Sequence, residues 1–292
     1  MAVTDHPIER GGHVVATIGT FDGVHLGHRR LIDETRRQAA ARGLRSVAVT
    51  FDRHPMTIVR PEAAPRLLTG LDHKLELLAA AGVDAVVLEF DATRAAQGAE
   101  DFVKDVLVGH LGVRALVVGS TFRFGYRHRG DARLLETMGA RLGFSVTPIE
   151  LVTDDGARTV ISSSLIRSLV ADTRLDEARR LLGRDHEVRG VVVDGAAGLV
   201  AVPAELLVPP PGDYRASWSF ARTTRAGTAR VRETSPDGST VVELAPSVID
   251  AGDGEPEAPK EGGRVAVRFV ATAEGPAEPG DSAPTVGSRG RR

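Results

Sequence analysis

Short apolar runs alternate with longer amphipathic stretches over the first 185 residues of the chain. Val14–Ile18 has the length and composition of a strand. The stretch Leu26–Arg42 that follows it places Leu31, Ile32, Thr35 and Ala39 on one side before Gly43. The same alternation predicts strands at 45–51, 85–90, 115–118 and 144–149, and helices at 72–81, 99–111, 132–142, 164–171 and 175–182. This order is typical of parallel βαβ units, so the pattern predicts a Rossmann-like, doubly wound α/β sheet.

After Gly183 the pattern changes to short strand-like runs separated by Gly, Pro and Asp. These runs lie at 188–193, 199–202, 214–220, 228–233, 239–244 and 264–270, and they predict a small β-barrel. We therefore expect an α/β domain over 1–185, a barrel domain over 186–272, and a disordered tail over 273–292, which is rich in Gly, Pro, Ala and Ser.

Composition narrows the range of partners and locations. The 292 residues include no cysteine and carry a formal net charge of −2, which excludes disulfide and thiolate chemistry and gives no general attraction to nucleic acid or an anionic membrane. The polar N-terminus lacks a signal-peptide core, and no apolar run approaches the roughly 20 residues needed to span a bilayer. We expect a soluble cytoplasmic protein with no nucleic-acid or membrane partner; the sequence does not indicate an oligomeric state.

The turn after the first predicted strand contains the largest group of candidate functional residues. It reads Gly19-Thr20-Phe21-Asp22-Gly23-Val24-His25-Leu26-Gly27-His28. Glycines let backbone approach a ligand closely, and two histidines three residues apart lie on one side of the first helical turn. A helix N-terminus of this kind binds phosphate. A plain glycine turn with solvent-facing histidines is the alternative, and a zinc site would need a third ligand that no recognisable spacing supplies.

A second polar cluster precedes the helix predicted at 164–171. Ser162, Ser163 and Ser164 can cap that helix and hold phosphate oxygens, and Arg167 lies off its apolar stripe, where it can bind a phosphate in bidentate fashion. Ordinary helix capping is the alternative for the serines.

Two further segments follow the ends of the second and fourth strands of the expected sheet, where ligands of open α/β sheets bind. The first contains Phe51, His54 and Pro55, and the second contains Gly119, Phe122 and Phe124. The phenylalanines have core packing as an alternative role. Asp131 either orients a substrate or caps the next helix.

Taken in order, these motifs resemble those of a known group. Gly19-Thr20-Phe21-Asp22 followed by His25-Leu26-Gly27-His28 is similar to the His-x-Gly-His nucleotidyltransferase superfamily. The segments 51–55, 67–69 with Lys74, 118–125 with 130–131, and 161–167 narrow the resemblance to the bacterial FAD synthetase family, over residues 13–185. Thr121 stands where this family usually carries an acidic or amide residue, which could alter ligand affinity.

The resemblance implies an FMN adenylyltransferase that moves AMP from Mg-ATP to FMN, giving FAD and pyrophosphate. It implies catalytic roles for His25, His28 and Arg167, with Mg²⁺ neutralising the leaving group and no metal-ligating residue indicated. It also implies two sets of binding residues. Those expected to contact ATP are Gly19, Thr20, Phe21, Asp22, Gly23, Gly119, Ser162, Ser163 and Ser164, and those expected to contact the flavin are Phe51, His54, Pro55, Phe122, Phe124 and Asp131.

The resemblance weakens in the barrel. Members of the family usually continue into a riboflavin-kinase barrel with the signature Gly-x-Pro-Thr-Ala-Asn, whereas this chain has Pro203-Ala204-Glu205 at that place. Glu243 is the candidate for the position of the family's catalytic glutamate. We therefore expect a degenerate kinase module whose activity has been lost.

Two other functions are compatible with the sequence. The chain could adenylylate another phosphorylated acceptor, or it could be a non-catalytic regulator that binds flavin nucleotides; the latter should lack one of the histidines or Arg167, and all are present. The histidines outside the motifs, including His73, His110 and His186, lie in polar surroundings, and we expect them at the surface.

Overall fold

The computed structural model describes residues 13–150, 152–154, 159–220, 223–234, 238–246 and 260–272. The expected tail at 273–292 and the N-terminal residues 1–12 lie outside these ranges. No helix within the described ranges combines the length and apolar content needed to cross a membrane.

The first half of the chain forms a five-stranded parallel sheet. Its strands are β1 (Val14–Ile18), β2 (Arg45–Phe51), β3 (Asp84–Leu88), β4 (Val113–Gly119) and β5 (Ser145–Ile149). They lie side by side in the order β3-β2-β1-β4-β5. Every residue of the central β1 is buried, as expected for a strand covered on both faces. Since all five strands run the same way, their carboxyl ends meet at one edge of the sheet.

Eight α-helices are described around and after this sheet. They are α1 (Leu26–Arg42), α2 (Met56–Val59), α3 (Leu71–Ala80), α4 (Ala92–Ala96), α5 (Ala99–Asp101), α6 (Ala132–Leu142), α7 (Ser163–Ala171) and α8 (Leu175–Leu182). Gly43 ends α1 in the left-handed conformation, at φ 63°, and its N–H reaches the Ala39 carbonyl, because glycine adopts this conformation without steric cost. The sequence predicts one α-helix over 99–111, but beyond α5 the stretch Phe102–His110 is a π-helix.

The second half forms a closed six-stranded antiparallel barrel. Its strands are β6 (His186–Asp194), β7 (Leu199–Val202), β8 (Gly212–Phe220), β9 (Thr223–Thr234), β10 (Thr240–Pro246) and β11 (Arg264–Thr272), in the order β6-β7-β10-β9-β8-β11. One apolar cluster includes Ile166 of α7, Leu182 of α8, and Val202 and Trp218 of the barrel. The last two helices therefore share a core with the barrel, and the predicted fold class, a parallel α/β sheet followed by a β-barrel, is confirmed.

The surface position expected for His73 and His186 is wrong. His73 lies on α3, only 6% exposed, with its Nε2 3.4 Å from Glu187 of β6. His186 is 2% exposed, with Nε2 2.8 Å from the Leu207 carbonyl oxygen. Both are buried because the barrel docks on the α/β domain, a long-range contact that local polarity does not indicate. His110 is exposed, as expected.

Candidate active site

The turn between β1 and α1 has an unusual backbone. Phe21, Gly23 and Val24 have positive φ angles of 50°, 81° and 38°, and side chains with a Cβ rarely adopt this region. Phe21 and Val24 are fully buried in a small core with Leu78 of α3. At Gly23 a Cβ would lie 2.8 Å from the Leu68 side chain. Packing therefore holds this turn in a strained form, a feature that clusters at functional sites.

His25 caps α1 with its own ring. Its Nδ1 accepts a hydrogen bond from the His28 backbone N–H at 3.3 Å, so the neutral imidazole carries its proton on Nε2. The two rings stack with centroids 3.6 Å apart. His28 Nδ1 is buried and hydrogen-bonds to none of the described residues. The helix start thus presents one imidazole N–H and one ring nitrogen without a partner.

Both rings are neutral near pH 7. Burial, together with the charges of Arg184 and Arg167, lowers the pKa of His25 to about 4. Burial likewise lowers the pKa of His28, with contributions from His25 and Lys74. In the free protein the histidines can therefore donate hydrogen bonds to a phosphate but do not carry positive charge, which comes from the neighbouring arginines and lysine.

Asp22 faces into the protein. Its carboxylate accepts hydrogen bonds from the backbone N–H groups of Leu68 and Thr69, each at 3.0 Å, and from Arg167 Nη2 at 2.8 Å. Its side chain is 4% exposed and that of Arg167 is 15% exposed. Asp22 thereby fixes the catalytic candidate Arg167, while a direct contact of Asp22 with nucleotide stays a prediction.

The serine cluster reaches the histidine turn. Ser162 caps α7 by accepting from the Leu165 N–H at 3.2 Å, as predicted, and Ser163 Oγ donates to the Asp22 carbonyl at 2.9 Å. Ser164 Oγ lies 3.5 Å from Arg167 Nη1. The carboxyl edge of the sheet thus brings together segments that lie far apart in the sequence.

A pocket opens beside this turn at the ends of β1 and β2. Its lining residues are Thr20, Asp22, Asp52, Arg53, His54, Leu67, Thr69, Leu71 and Lys74. Lys74 Nζ donates to the carbonyls of Phe51, at 2.8 Å, and Thr20, at 3.3 Å, and so connects the two strand ends. Burial lowers the pKa of Lys74 to about 8 although Asp22 and Asp52 oppose the shift. Burial, with Arg167, also lowers the pKa of His54.

Three of the predicted flavin residues, Phe122, Phe124 and Asp131, form a separate group beyond the end of β4. Phe122 and Phe124 stack with centroids 5.5 Å apart, and Phe124 is 8% exposed beside Phe102. Asp131 accepts from the Leu134 N–H at 2.9 Å and caps α6. In the described structure these residues have packing and capping roles, and their contact with a flavin stays a prediction.

Three residues of the site were not assigned roles from the sequence. Thr69 Oγ1 accepts from the Gly23 N–H at 3.1 Å, and Arg184 Nη2 donates to the Gly23 carbonyl at 2.7 Å. Lys74 is the third. Thr69 and Lys74 belong to a motif of the family resemblance, 67–69 with Lys74. Arg184 lies between α8 and the barrel, where no motif of the sequence indicates a role in the site. Within the described ranges no cluster of three or more His, Asp or Glu side chains could ligate a metal.

Comparisons with known proteins agree with the geometry. A sequence model of a family described as FAD synthetase matches residues 8–165. The bifunctional riboflavin kinase/FMN adenylyltransferase of Escherichia coli strain K12 is 41% identical over 182 residues, which cover 62% of this chain and 58% of the relative. The protein of the same description from Pseudomonas fluorescens is 38% identical over 190 residues, covering 65% of this chain and 60% of the relative. The aligned region thus spans less than two thirds of these relatives.

A solved structure described as a macrolide-efflux protein from Streptococcus pneumoniae has a similar fold. It matches with a TM-score of 0.74 and 23% sequence identity, over 91% of this chain and 86% of that one. At this identity the likeness shows the fold alone, and the shared fold extends across both the sheet and the barrel.

Proposed function

Because the chain belongs to the FAD synthetase family, we propose that its α/β domain is an FMN adenylyltransferase that transfers AMP from Mg-ATP to FMN, giving FAD and pyrophosphate. The observation that supports this most directly is the junction of the histidine turn with α7. Asp22 and Arg167 are 145 residues apart in sequence and 2.8 Å apart in space. Arg167 is thereby held beside the two stacked imidazoles.

The chemistry requires stabilisation of charge more than proton transfer. A phosphate oxygen of FMN attacks the α-phosphorus of ATP, and the bond from that phosphorus to the bridging oxygen of pyrophosphate breaks. The nucleophile is already an anion, so no general base is needed, and the main requirement is fixed donors at the equatorial oxygens. His25 Nε2–H and the His28 ring are preorganised for this role at the start of α1, where the helix dipole adds to them.

Arg167 suits the leaving pyrophosphate. One terminal nitrogen is engaged by Asp22, while its Nε is buried and hydrogen-bonds to none of the described residues. A phosphate oxygen would supply that missing acceptor. Mg²⁺ would enter the site with the nucleotide, since it is commonly bound through substrate phosphates and only one or two carboxylates.

Mass spectrometry of the products tests this function. Purified protein incubated with ATP, Mg²⁺ and FMN should form FAD and pyrophosphate. A panel of other phosphorylated acceptors, each at the same concentration, is the control for acceptor identity. Faster adenylylation of another acceptor would replace FMN in the proposal, and no adenylylated product with any acceptor would reject the proposed transferase.

For the barrel we propose that riboflavin kinase activity has been lost. Phosphoryl transfer to a neutral hydroxyl needs a metal held against the phosphates and a base at the hydroxyl. Pro203 and Ala204 form a tight turn, closed by the Leu206 N–H on the Pro203 carbonyl at 3.0 Å, and supply no hydroxyl or amide. Glu243 is ion-paired with Arg232. Riboflavin with Mg-ATP should give neither FMN nor FAD, and either product above a no-enzyme control would overturn this proposal.

A further inference from the structure

A short barrel segment pairs directly with the transferase pocket. This segment, Pro203–Leu207, follows β7, and its Leu206 forms a parallel bridge with Leu67. The Leu67 N–H donates to the Glu205 carbonyl at 2.6 Å, and the Leu207 N–H donates to the Leu67 carbonyl at 2.8 Å. Leu206, between these two bonds, is 5% exposed. The barrel thus holds both the N–H and the carbonyl of Leu67 through backbone hydrogen bonds.

The next residues along the chain hold the site. The N–H groups of Leu68 and Thr69 bind the Asp22 carboxylate, which also binds Arg167. Thr69 accepts from the Gly23 N–H in the strained turn. A displacement of Leu67 would therefore reach Arg167 through a single intervening side chain, that of Asp22.

Other contacts keep the barrel in this position. Glu187 of β6 is nearly buried, pairs with Arg268 at 2.8 Å and lies against His73 of α3, the residue before Lys74. His186 binds the carbonyl of Leu207 itself. His186 therefore anchors the Leu207 end of the segment, and Glu187 links the start of β6 to α3.

We propose that Pro203–Leu207 is a positioning element for adenylyl transfer: it sets the place of Arg167 through Leu67–Thr69 and Asp22. The inference rests on the proposed function of the α/β domain. It gives the barrel a role in the transferase that is independent of any kinase activity, because the contacts are made by backbone groups and need no kinase signature.

The test compares two prolines in the same turn of the full-length chain. Leu207→Pro removes the N–H that donates to Leu67, whereas Ala204→Pro lies at the second position of the turn, where proline is well accepted. Leu207→Pro should lower kcat/KM for FAD formation on the order of 10-fold, since small misplacements of catalytic groups have effects of this size or larger. Ala204→Pro should remain within about twofold, because it breaks no backbone hydrogen bond that the described structure contains.

Two further readouts separate positioning from loss of structure. Amide hydrogen exchange at Leu68 and Thr69 should accelerate in Leu207→Pro, and the fluorescence of buried Trp218, the single tryptophan of the chain, should be unchanged if the barrel is intact. Combining Leu207→Pro with Arg167→Lys should cost little more than Arg167→Lys alone, since both act on one group. If Leu207→Pro unfolds the barrel, Leu206→Ala replaces it and should move the same readouts by a smaller factor.

Unchanged exchange at Leu68 and Thr69 in an otherwise folded Leu207→Pro protein would overturn the inference, as would independent, multiplying effects in the double variant. If the parent protein forms no FAD, it is the proposed function that fails. The exchange measurement would still decide whether the segment controls the loop that holds Asp22.

Discussion

Replacing Asp22 by asparagine would remove the negative charge that holds Arg167 while keeping the shape of the side chain. The carboxylate accepts from Leu68 N–H and Thr69 N–H at 3.0 Å, from the Thr69 hydroxyl at 3.4 Å and from Arg167 Nη2 at 2.8 Å, so its four partners are all donors. Asparagine has a single acceptor oxygen and an NH₂ group. If the oxygen stays on the two backbone N–H groups, the NH₂ must face the guanidinium, so two donors oppose each other.

The expected cost follows from the type of bond and its exposure. A hydrogen bond to a charged group contributes roughly 1.5–3 kcal/mol, and this pair is largely shielded from water, with side-chain exposures of 4% and 15%. We expect Asp22→Asn to lower the free energy of unfolding by about 2 kcal/mol. Because Arg167 loses its fixed position, FAD formation should fall on the order of 10²-fold.

Urea unfolding followed by circular dichroism, together with an assay of FAD formation, measures both effects. The matched control is Asp84→Asn, which removes a surface partner of Arg45 at 2.7 Å, with exposures of 38% for Asp84 and 60% for Arg45. It should cost less than about 1 kcal/mol and leave turnover unchanged. If Asp22→Asn is as mild as the control in both assays, Asp22 does not position Arg167 and our interpretation of the ion pair is wrong.

Three other changes probe the site. His28→Ala should lower turnover by roughly 10²–10³-fold with an intact fold, and near-normal FAD formation would reject its role. Arg167→Lys keeps the charge but loses the planar fork, so it should still impair the reaction; equal activity would indicate a simple charge contact. Lys74, whose pKa is lowered from 10.5 to about 8, is cationic below pH 8, so kcat/KM should fall as the pH rises through 8, and Lys74→Arg should shift that decline to higher pH. An unchanged profile in Lys74→Arg would exclude Lys74 as the titrating group.

The same pKa shift predicts an opposite trend for stability. Unfolded Lys74 holds its proton up to about pH 10.5, whereas the folded protein releases it near pH 8. Between these values the unfolded state binds more protons, so the contribution of Lys74 to the free energy of unfolding increases as the pH rises. Below pH 8 the burial of its charge costs stability throughout. Activity and stability should therefore diverge in alkaline solution.

The sequence pattern predicts the bounds of a helix or strand correctly where neighbouring residues determine where that element begins and ends. The bounds predicted for β1, β2, α1 and α8 agree with the structure, because buried apolar runs define the strands and glycines such as Gly43 and Gly183 end the helices in the left-handed conformation. The strand predicted at 228–233 is instead Thr223–Thr234, since pairing with β8 over 223–231 and with β10 at Thr234 extends it at both ends. Such pairing is invisible to a short window of sequence.

The candidate site likewise contains residues that the local sequence predicts and contacts that it does not predict. His25, His28 and the α7 serines could be placed from spacing and capping alone. The ion pair of Asp22 with Arg167, the backbone contacts of Lys74 and the bond from Arg184 to Gly23 depend on chain segments that meet only in the folded protein. The burial of His73 and His186 could not be predicted either, because the barrel that covers them lies elsewhere in the sequence.

His25, the N-cap of α1, has two roles that favour different side chains: capping the helix and presenting an imidazole. Serine or asparagine at position 25 would be an ordinary cap for His28 N–H and would favour the helix, but neither could stack on His28 or offer an imidazole N–H. Selection for heat resistance and selection for turnover would thus favour different side chains at this position. Acid affects both roles, because a proton on Nδ1 near pH 4 turns the cap acceptor into a donor. We therefore expect the cap of α1 and the position of the candidate phosphate donors to be lost together.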